Sequence, residues 1–292
     1  YMDIGDTVVR KSYGKDVTFK IIDKKICSGN VIYVLKGINM RIIADAPSSD
    51  LEIVDGRKIG KMDLIFNKRV NNSIKKILQV RDGENLHRKP KKEKLKDEKK
   101  IKELAFGRPG RILHVDGDSD YLNVCLKVYK QLSLEAVGRV IPEEQQANLI
   151  VQIVKETNPD IVVITGHDSM IKGNPDYLNL DNYKNSKYFV ETVSKLRSYR
   201  SNYDDLVIVA GACQSCYEAI LDAGANYASS PGRVLIHCLD PVFVCEKIAY
   251  TNIDKIVSIY DVIDNTITGI NGIGGLQTRG KYREGFPKST YA

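Results

Sequence analysis

The chain has 292 residues and a formal net charge of +7, room for one large domain or two ordinary ones. Its apolar share of 42% and charged share of 28% are those of a folded globular protein rather than a disordered one. No run of about eighteen apolar residues is present, so no membrane span is expected, and six cysteines in a chain of this length do not make a disulfide framework.

The opening "YMDIGDTVVRKSYG" lacks the apolar stretch of a signal peptide, and a cytoplasmic protein is expected. From there the residues read as β. "DTVVRKS", "VTFKIID", "VIYVLKG" and "MRIIADA" are short, rich in Val, Ile and Tyr, and separated by turn residues in "SYGKD", "CSGNV" and "KGINM". Residues 1–80 are therefore expected to form a small SH3/Tudor-like β-barrel. Residues 81–106 differ: ten basic and six acidic side chains are interleaved there with few apolar ones. No core can be built from that composition, and a charged linker or solvated helix is expected. The interleaved acids and the lack of Phe, Tyr or Trp up to residue 105 argue against a nucleic-acid tail. An exposed Lys- and Arg-rich stretch is also where a protease cuts first.

Residues 107–292 are expected to form an α/β domain. "RILHVDG", "AVGRVI", "DIVVITG" and "DLVIVAG" read as strands, and each is followed by a helical pattern, from "YLNVCLKVYKQL" to "CYEAILDAG". That alternation implies βαβ units, a mostly parallel sheet and helices on both faces. "ANYAS" and a helical "DPVFVCEKIAYT" follow, and then a Gly-rich end. "GIGG" and "GLQTRG" lack the strand-to-helix setting of a phosphate loop. The acids of "HVDGD" suit a metal or a helix start, with capping by Asp118 or Asp120 preferred.

In open α/β sheets chemistry gathers at the carboxyl ends of strands. That rule selects "TGHDS" after the third strand, with Gly166, His167 and Asp168, and "GACQS" after the fourth, with Cys213 and Gln214. A thiol needs a nearby base to become a thiolate near neutral pH. A helix start after Cys213 would favour an anion there.

A strand ending in His and, about fifty residues on, a strand ending in Ala-Cys resembles the caspase-like cysteine peptidases. Longer strings, "HVDGDSDYL", "VITGHD", "AGACQS", "GANYASSPGRVLIH" and "GIGGLQTRGKYR", are similar to a family of sporulation-specific proteases. The resemblance implies a caspase-like parallel sheet and a cysteine endopeptidase that processes spore-coat and germination proteins. It implies a mother-cell protein that associates with the forming coat. His167 and Cys213 are the implied catalytic pair, with no third acid required and no cofactor. The usual His-Gly order is absent: Gly166 precedes His167 and Asp168 follows it. The Cys213 amide is one oxyanion donor, and the backbone near Gly166 or Asp168 the candidate second. Gln214 is expected to shape the pocket. Relatives that cut after Arg or Lys use an acid, for which Asp168 and Asp240 are the candidates. That preference would make residues 81–106 a site of self-cleavage.

Two other readings stay open. Cys213 and Cys216 form a CxxC, which suits a redox pair or, with His167, His237 or Cys238, a metal site. A non-catalytic spore-coat scaffold is the third. His114 and His237 read as packing residues.

Overall fold

The computed structural model describes residues 2–54, 60–87, 104–171, 176–289 and 291. The N-terminal strands β1 (Thr7–Arg10), β2 (Thr18–Cys27), β3 (Asn30–Gly37), β4 (Ile43–Pro47) and β5 (Leu51–Ile53) form one antiparallel sheet. Their order is β4-β3-β2-β1-β5. Val8, Phe19, Ile21, Leu35 and Leu51 make its small core. Ser28 and Gly29 both take positive φ, 50° and 79°, which is the twist a tight hairpin between β2 and β3 requires. Among the described residues no ladder joins β4 to β5, so the sheet has two edges.

Helix α1 (Lys61–His87) runs across the boundary expected at residue 80. Phe66 and Ile77 are buried in the core of the α/β region, with Val70 and Ile74 packed beside them. These four recur at helical spacing and put one apolar stripe on the helix. Arg81, the first residue of the expected linker, is held there. Its guanidinium donates to Glu246 Oε1 at 2.5 Å and to the Leu132 carbonyl at 2.7 Å, and lies 3.4 Å from the centre of the Tyr250 ring. Residues 88–103 of that expected linker lie outside the described residues.

The larger sheet is built from β7 (Ile112–Asp116), β8 (Ala136–Val140), β9 (Ile161–Thr165), β10 (Val207–Ala210), β11 (Tyr227–Ser229) and β13 (Ile273–Gly275). The order is β13-β11-β10-β9-β7-β8. All pairings are parallel except β13 with β11. Two small ladders border it: β6 (Phe106–Arg108) with β15 (Arg283–Gly285), and β12 (Ile256–Val257) with β14 (Thr278–Arg279). The central strands β9 and β10 are almost wholly apolar and buried, as strands covered on both faces must be, while β7 carries the buried polar residues His114 and Asp116. Ile112, Val163, Val207 and Val209 share one core with α1, α2 (Ser119–Gln131), α6 (Asp240–Tyr250) and α7 (Ile259–Asn265). Leu113, Val162, Ile164 and Ile208, one residue out of step, face α3 (Glu143–Thr157), α4 (Ser186–Tyr199) and α5 (Tyr217–Asp222). Side chains that alternate along a strand thus fill two separate layers.

The chain places β8 on one side of β7 and then returns to place β9 on the other. The strand order therefore reverses at β7. Crevices in such sheets open at the carboxyl ends of the strands flanking that reversal.

Candidate active site

The residues that end β7, β9 and β10 line this crevice. Asp116 ends β7, and Gly117 and Asp118 follow it. One Asp118 oxygen accepts from the amides of Asp120 and Tyr121 at 3.0 and 3.5 Å, so it caps α2 as the sequence suggests. Its other oxygen meets His167 Nε2 at 2.8 Å. Lys36, on β3 of the N-terminal sheet, reaches the same carboxylate at 2.6 Å. Burial alone would raise the Asp118 acid, but the His167 and Lys36 hydrogen bonds and the Lys36 charge hold it down at about 2.

His167 follows β9. Its amide donates to Glu143 Oε1 at 2.7 Å, and its carbonyl accepts from the Asn185 side chain at 2.8 Å. The Glu143 carboxylate lies so close to Gly166 that a Cβ there would overlap it. A side chain before the histidine would have to push that carboxylate off the His167 amide. The next residue, Asp168, is buried. It accepts from Ser186 Oγ at 2.5 Å, Ser215 Oγ at 2.9 Å and the Asn185 and Ser169 amides. Burial still raises its acid above the usual carboxylate range.

After β10, Gly211 takes φ +110°, a turn that a side chain would strain. It swings the chain so that Ala212 and Cys213 are buried. Cys213 Sγ accepts from the Ile236 amide at 3.2 Å, and the residue is 1% exposed. Burial pushes its thiol up to about 11; the nearby Asp240 charge adds to this, while the Ile236 amide and the Arg41 charge oppose it. Among the described residues no hydrogen bond joins His167 to Cys213. Nor does a helix start at Cys213: α5 begins at Tyr217 and has six residues. Gln214 takes φ +56° and its amide donates to Val234 O and Ser230 Oγ, each at 3.1 Å.

Asp240 sits at the start of α6 with no exposed surface. One oxygen accepts the Ile267 and Thr268 amides at 2.7 and 3.2 Å, and the other has no partner. Burial pushes this acid up to about 6. Neither Asp168 nor Asp240 therefore presents a free carboxylate to the crevice: the first is saturated by loop donors, and the second is sealed beneath α6. Beneath the crevice Asp116 is paired with Arg41 through two hydrogen bonds of 3.1 and 2.6 Å, both side chains fully buried.

The remaining candidates are packing groups. His114 lies in β7 between Tyr129 Oη at 3.1 Å and Thr165 Oγ1 at 2.9 Å, and burial lowers its pKa. His237 is buried against Phe66, and burial takes it down to about 4. Cys213 and Cys216 turn to different partners, Ile236 and the Tyr177 carbonyl. Among the described residues, no group of three or more His, Cys, Asp or Glu is placed to hold a metal ion.

An open α/β sheet with a thiol, an imidazole and its carboxylate at the strand-order reversal defines an enzyme of the strand-end crevice class. The comparison with known proteins makes the class particular. The family described as YabG peptidase U57 matches residues 3–287, and the chain belongs to that family of peptidases. It is 40% identical over 285 residues to the sporulation-specific protease YabG of Bacillus subtilis (strain 168), covering 97% of each chain. No helix among the described residues is long and apolar enough to cross a membrane.

Proposed function

We propose that this peptidase is a sporulation cysteine endopeptidase with Cys213 as nucleophile and His167 as acid–base. The observation that carries the reading is the Asp118–His167 hydrogen bond at the same strand-end crevice as Cys213. A carboxylate on Nε2 fixes the tautomer and leaves Nδ1 for proton transfer. Nδ1 takes the Cys213 proton, and the thiolate adds to the scissile carbonyl. The tetrahedral oxyanion is held by the Cys213 amide, which has no acceptor among the described residues, and by the amide of Gly166 or Asp168. His167 then protonates the departing amine, leaving a thioester. Water, activated by the same imidazole, releases the acid and restores the thiol. Gln214 helps shape the pocket through its fixed backbone.

Substrates are spore-coat and germination proteins, cut after basic residues, and residues 81–106 are a self-cleavage site. The enzyme works in the mother cell and joins the forming coat. The order of the large sheet supports a caspase-like domain, and a five-stranded antiparallel order with a one-turn 3-10 helix between β4 and β5 supports an SH3-type arrangement, left open between those two strands. The separate partners of Cys213 and Cys216 favour a nucleophile over a redox CxxC.

Purified protein is incubated alone and with coat-protein extract, beside Cys213→Ala and Cys216→Ala, with and without a chelator. Discrete cleavage abolished by Cys213→Ala alone is the expected result. Equal damage from Cys216→Ala or from the chelator would replace it with a redox or metal site. Cleavage unaffected by any variant would leave a scaffold.

A further inference from the structure

The turn between β3 and β4, Gly37–Ile42, leaves its own sheet and enters the crevice. Met40 pairs with His237 in an antiparallel bridge. The Cys238 amide donates to Asn39 O at 2.9 Å, and the Arg41 amide points to Ile236 O at 3.5 Å. Ile236 is also the residue whose amide meets the Cys213 thiol. A short strand laid antiparallel on an exposed edge is how many proteins hold an extended peptide: main-chain bonds bind it, and alternate side chains enter pockets. Here the pocket side chain is Arg41, aimed inward onto Asp116.

We infer that residues 39–41 occupy the place of a substrate peptide, with Arg41 standing in for the residue before the cut bond. Asp116 is the carboxylate that receives the basic side chain of a true substrate. The inference rests on the peptidase reading of Cys213 and His167.

The pocket demands a cation. Asp116 is fully buried, and a carboxylate there is tolerable only when paired. Thr165 Oγ1 and the Asp118 amide give it neutral hydrogen bonds of 2.8 and 2.9 Å, and burial lowers the pKa of the nearby His114. Arg41 supplies the positive charge in a two-pronged geometry that carboxylates favour, with the Tyr121 ring 4.9 Å away. A substrate guanidinium or ammonium would have to take that position.

The occupant is built to stay. Tyr121 Oη lies 2.5 Å from Gly37 O and 2.8 Å from Met40 O, and its one proton is shared between the two carbonyls. Beyond Arg41 the chain folds back rather than continuing across the crevice. Ile42 N donates to Met40 O at 2.8 Å, and Gly37 N to Ile42 O at 2.9 Å. Lys36, at the root of the turn, grips the carboxylate that orients His167. The thiol beneath is almost without solvent exposure. An open cleft of about 690 Å³ lies at the other end of the strands, lined by residues such as Arg111, Glu135 and Asp160 that precede them. The turn is therefore an internal block, and activity begins when it lifts.

Alkylation of Cys213 reads the block without needing turnover. The full chain is treated with iodoacetamide, an arginyl chloromethyl ketone peptide and its glutamyl counterpart. Modification is followed by mass spectrometry of the peptide that carries Cys213, and thermal melting checks that each variant is folded. Tyr121→Phe, which leaves the ion pair and the thiol in place, should speed iodoacetamide about tenfold, the factor that ~1.4 kcal/mol of lost loop hydrogen bonding produces. Arg41→Ala should react faster still and prefer the arginyl over the glutamyl reagent. Arg41→Ala with Asp116→Asn leaves no buried charge unpaired; it should react quickly with iodoacetamide and show no arginyl preference. Equal iodoacetamide rates in wild type and every variant would overturn the block, even if Cys213 proves to cut coat proteins. Equal arginyl and glutamyl rates in Arg41→Ala would overturn the assignment of Asp116. If the variants gate alkylation as expected and yet none cuts protein, it is the peptidase reading that fails, and with it the turn's role as a substrate stand-in.

Discussion

Asp240 is a carboxyl group that the folded chain holds at a disadvantage. It has no exposed surface and one unpartnered oxygen, and its pKa rises from 3.8 to about 6. The folded state therefore holds the proton more tightly than the unfolded state does. Below pH 4 both states are protonated and the group is neutral to stability. Between pH 4 and 6 the unfolded state ionises first, so stability falls as pH rises, and above 6 the loss is complete. A shift of roughly two units at about 1.36 kcal/mol each makes that loss about 3 kcal/mol. Asp240→Asn keeps the acceptor for the Ile267 and Thr268 amides and removes the ionisation. Its amide nitrogen, placed where the bare oxygen lies, adds a cost that does not depend on pH. The quantity to measure is therefore the difference between variant and wild type in urea unfolding at pH 4, 5, 6 and 7. The variant should gain on wild type by about 3 kcal/mol across that range. A difference that stays flat from pH 4 to 7 would refute the burial of an ionised Asp240. The same substitution removes a charge that raises the Cys213 thiol, so it should also lower the pH at which Cys213 alkylates.

Asp118→Asn should lower kcat by about a hundredfold or more with KM little changed, because the amide no longer fixes and balances the imidazole; steady-state kinetics on a peptide substrate check this, and an unchanged pH profile would assign Asp118 to helix capping alone. Arg81→Ala should cost about 2 kcal/mol of stability, since it leaves the mostly buried Glu246 without its partner. Thermal melting would show the loss, and melting at the wild-type temperature would mean that α1 is not anchored there.

Much of the α/β region was legible because its central strands are apolar runs and its helices carry an apolar stripe. The strand-end rule then picked out the loops of His167 and Cys213 from local sequence alone. The histidine's carboxylate was half visible: Asp118 also follows a strand, but its local capping signal masked a second bond to a residue 49 positions away. The Arg41–Asp116 pair spans 75 positions and joins two sheets; no pattern in "KGINMR" announces it. Helix α1 could have been found, since Phe66, Val70, Ile74 and Ile77 have helical spacing. The density of charge after residue 80 concealed it, because a charged side chain such as Arg81 reads as solvated when its partner is far away in sequence. Asp168 and Asp240 are acids that a basic-residue pocket could use, but a carboxylate near a loop or helix start is also what buried amides and hydroxyls recruit.

The packing of α1 on the α/β core bears on how a severed chain would behave. The described part of the helix reaches His87, and the first described ladder beyond it, β6 with β15, ties Phe106–Arg108 to the C-terminal strand. A cut between residues 88 and 103 thus falls between two anchored pieces: Phe66, Ile77 and Arg81 hold one side to the same core that contains the other. Such a nick would yield two bands in detergent and one particle in native buffer. The crevice would remain covered, because the turn carrying Arg41 belongs to the fragment that does not leave.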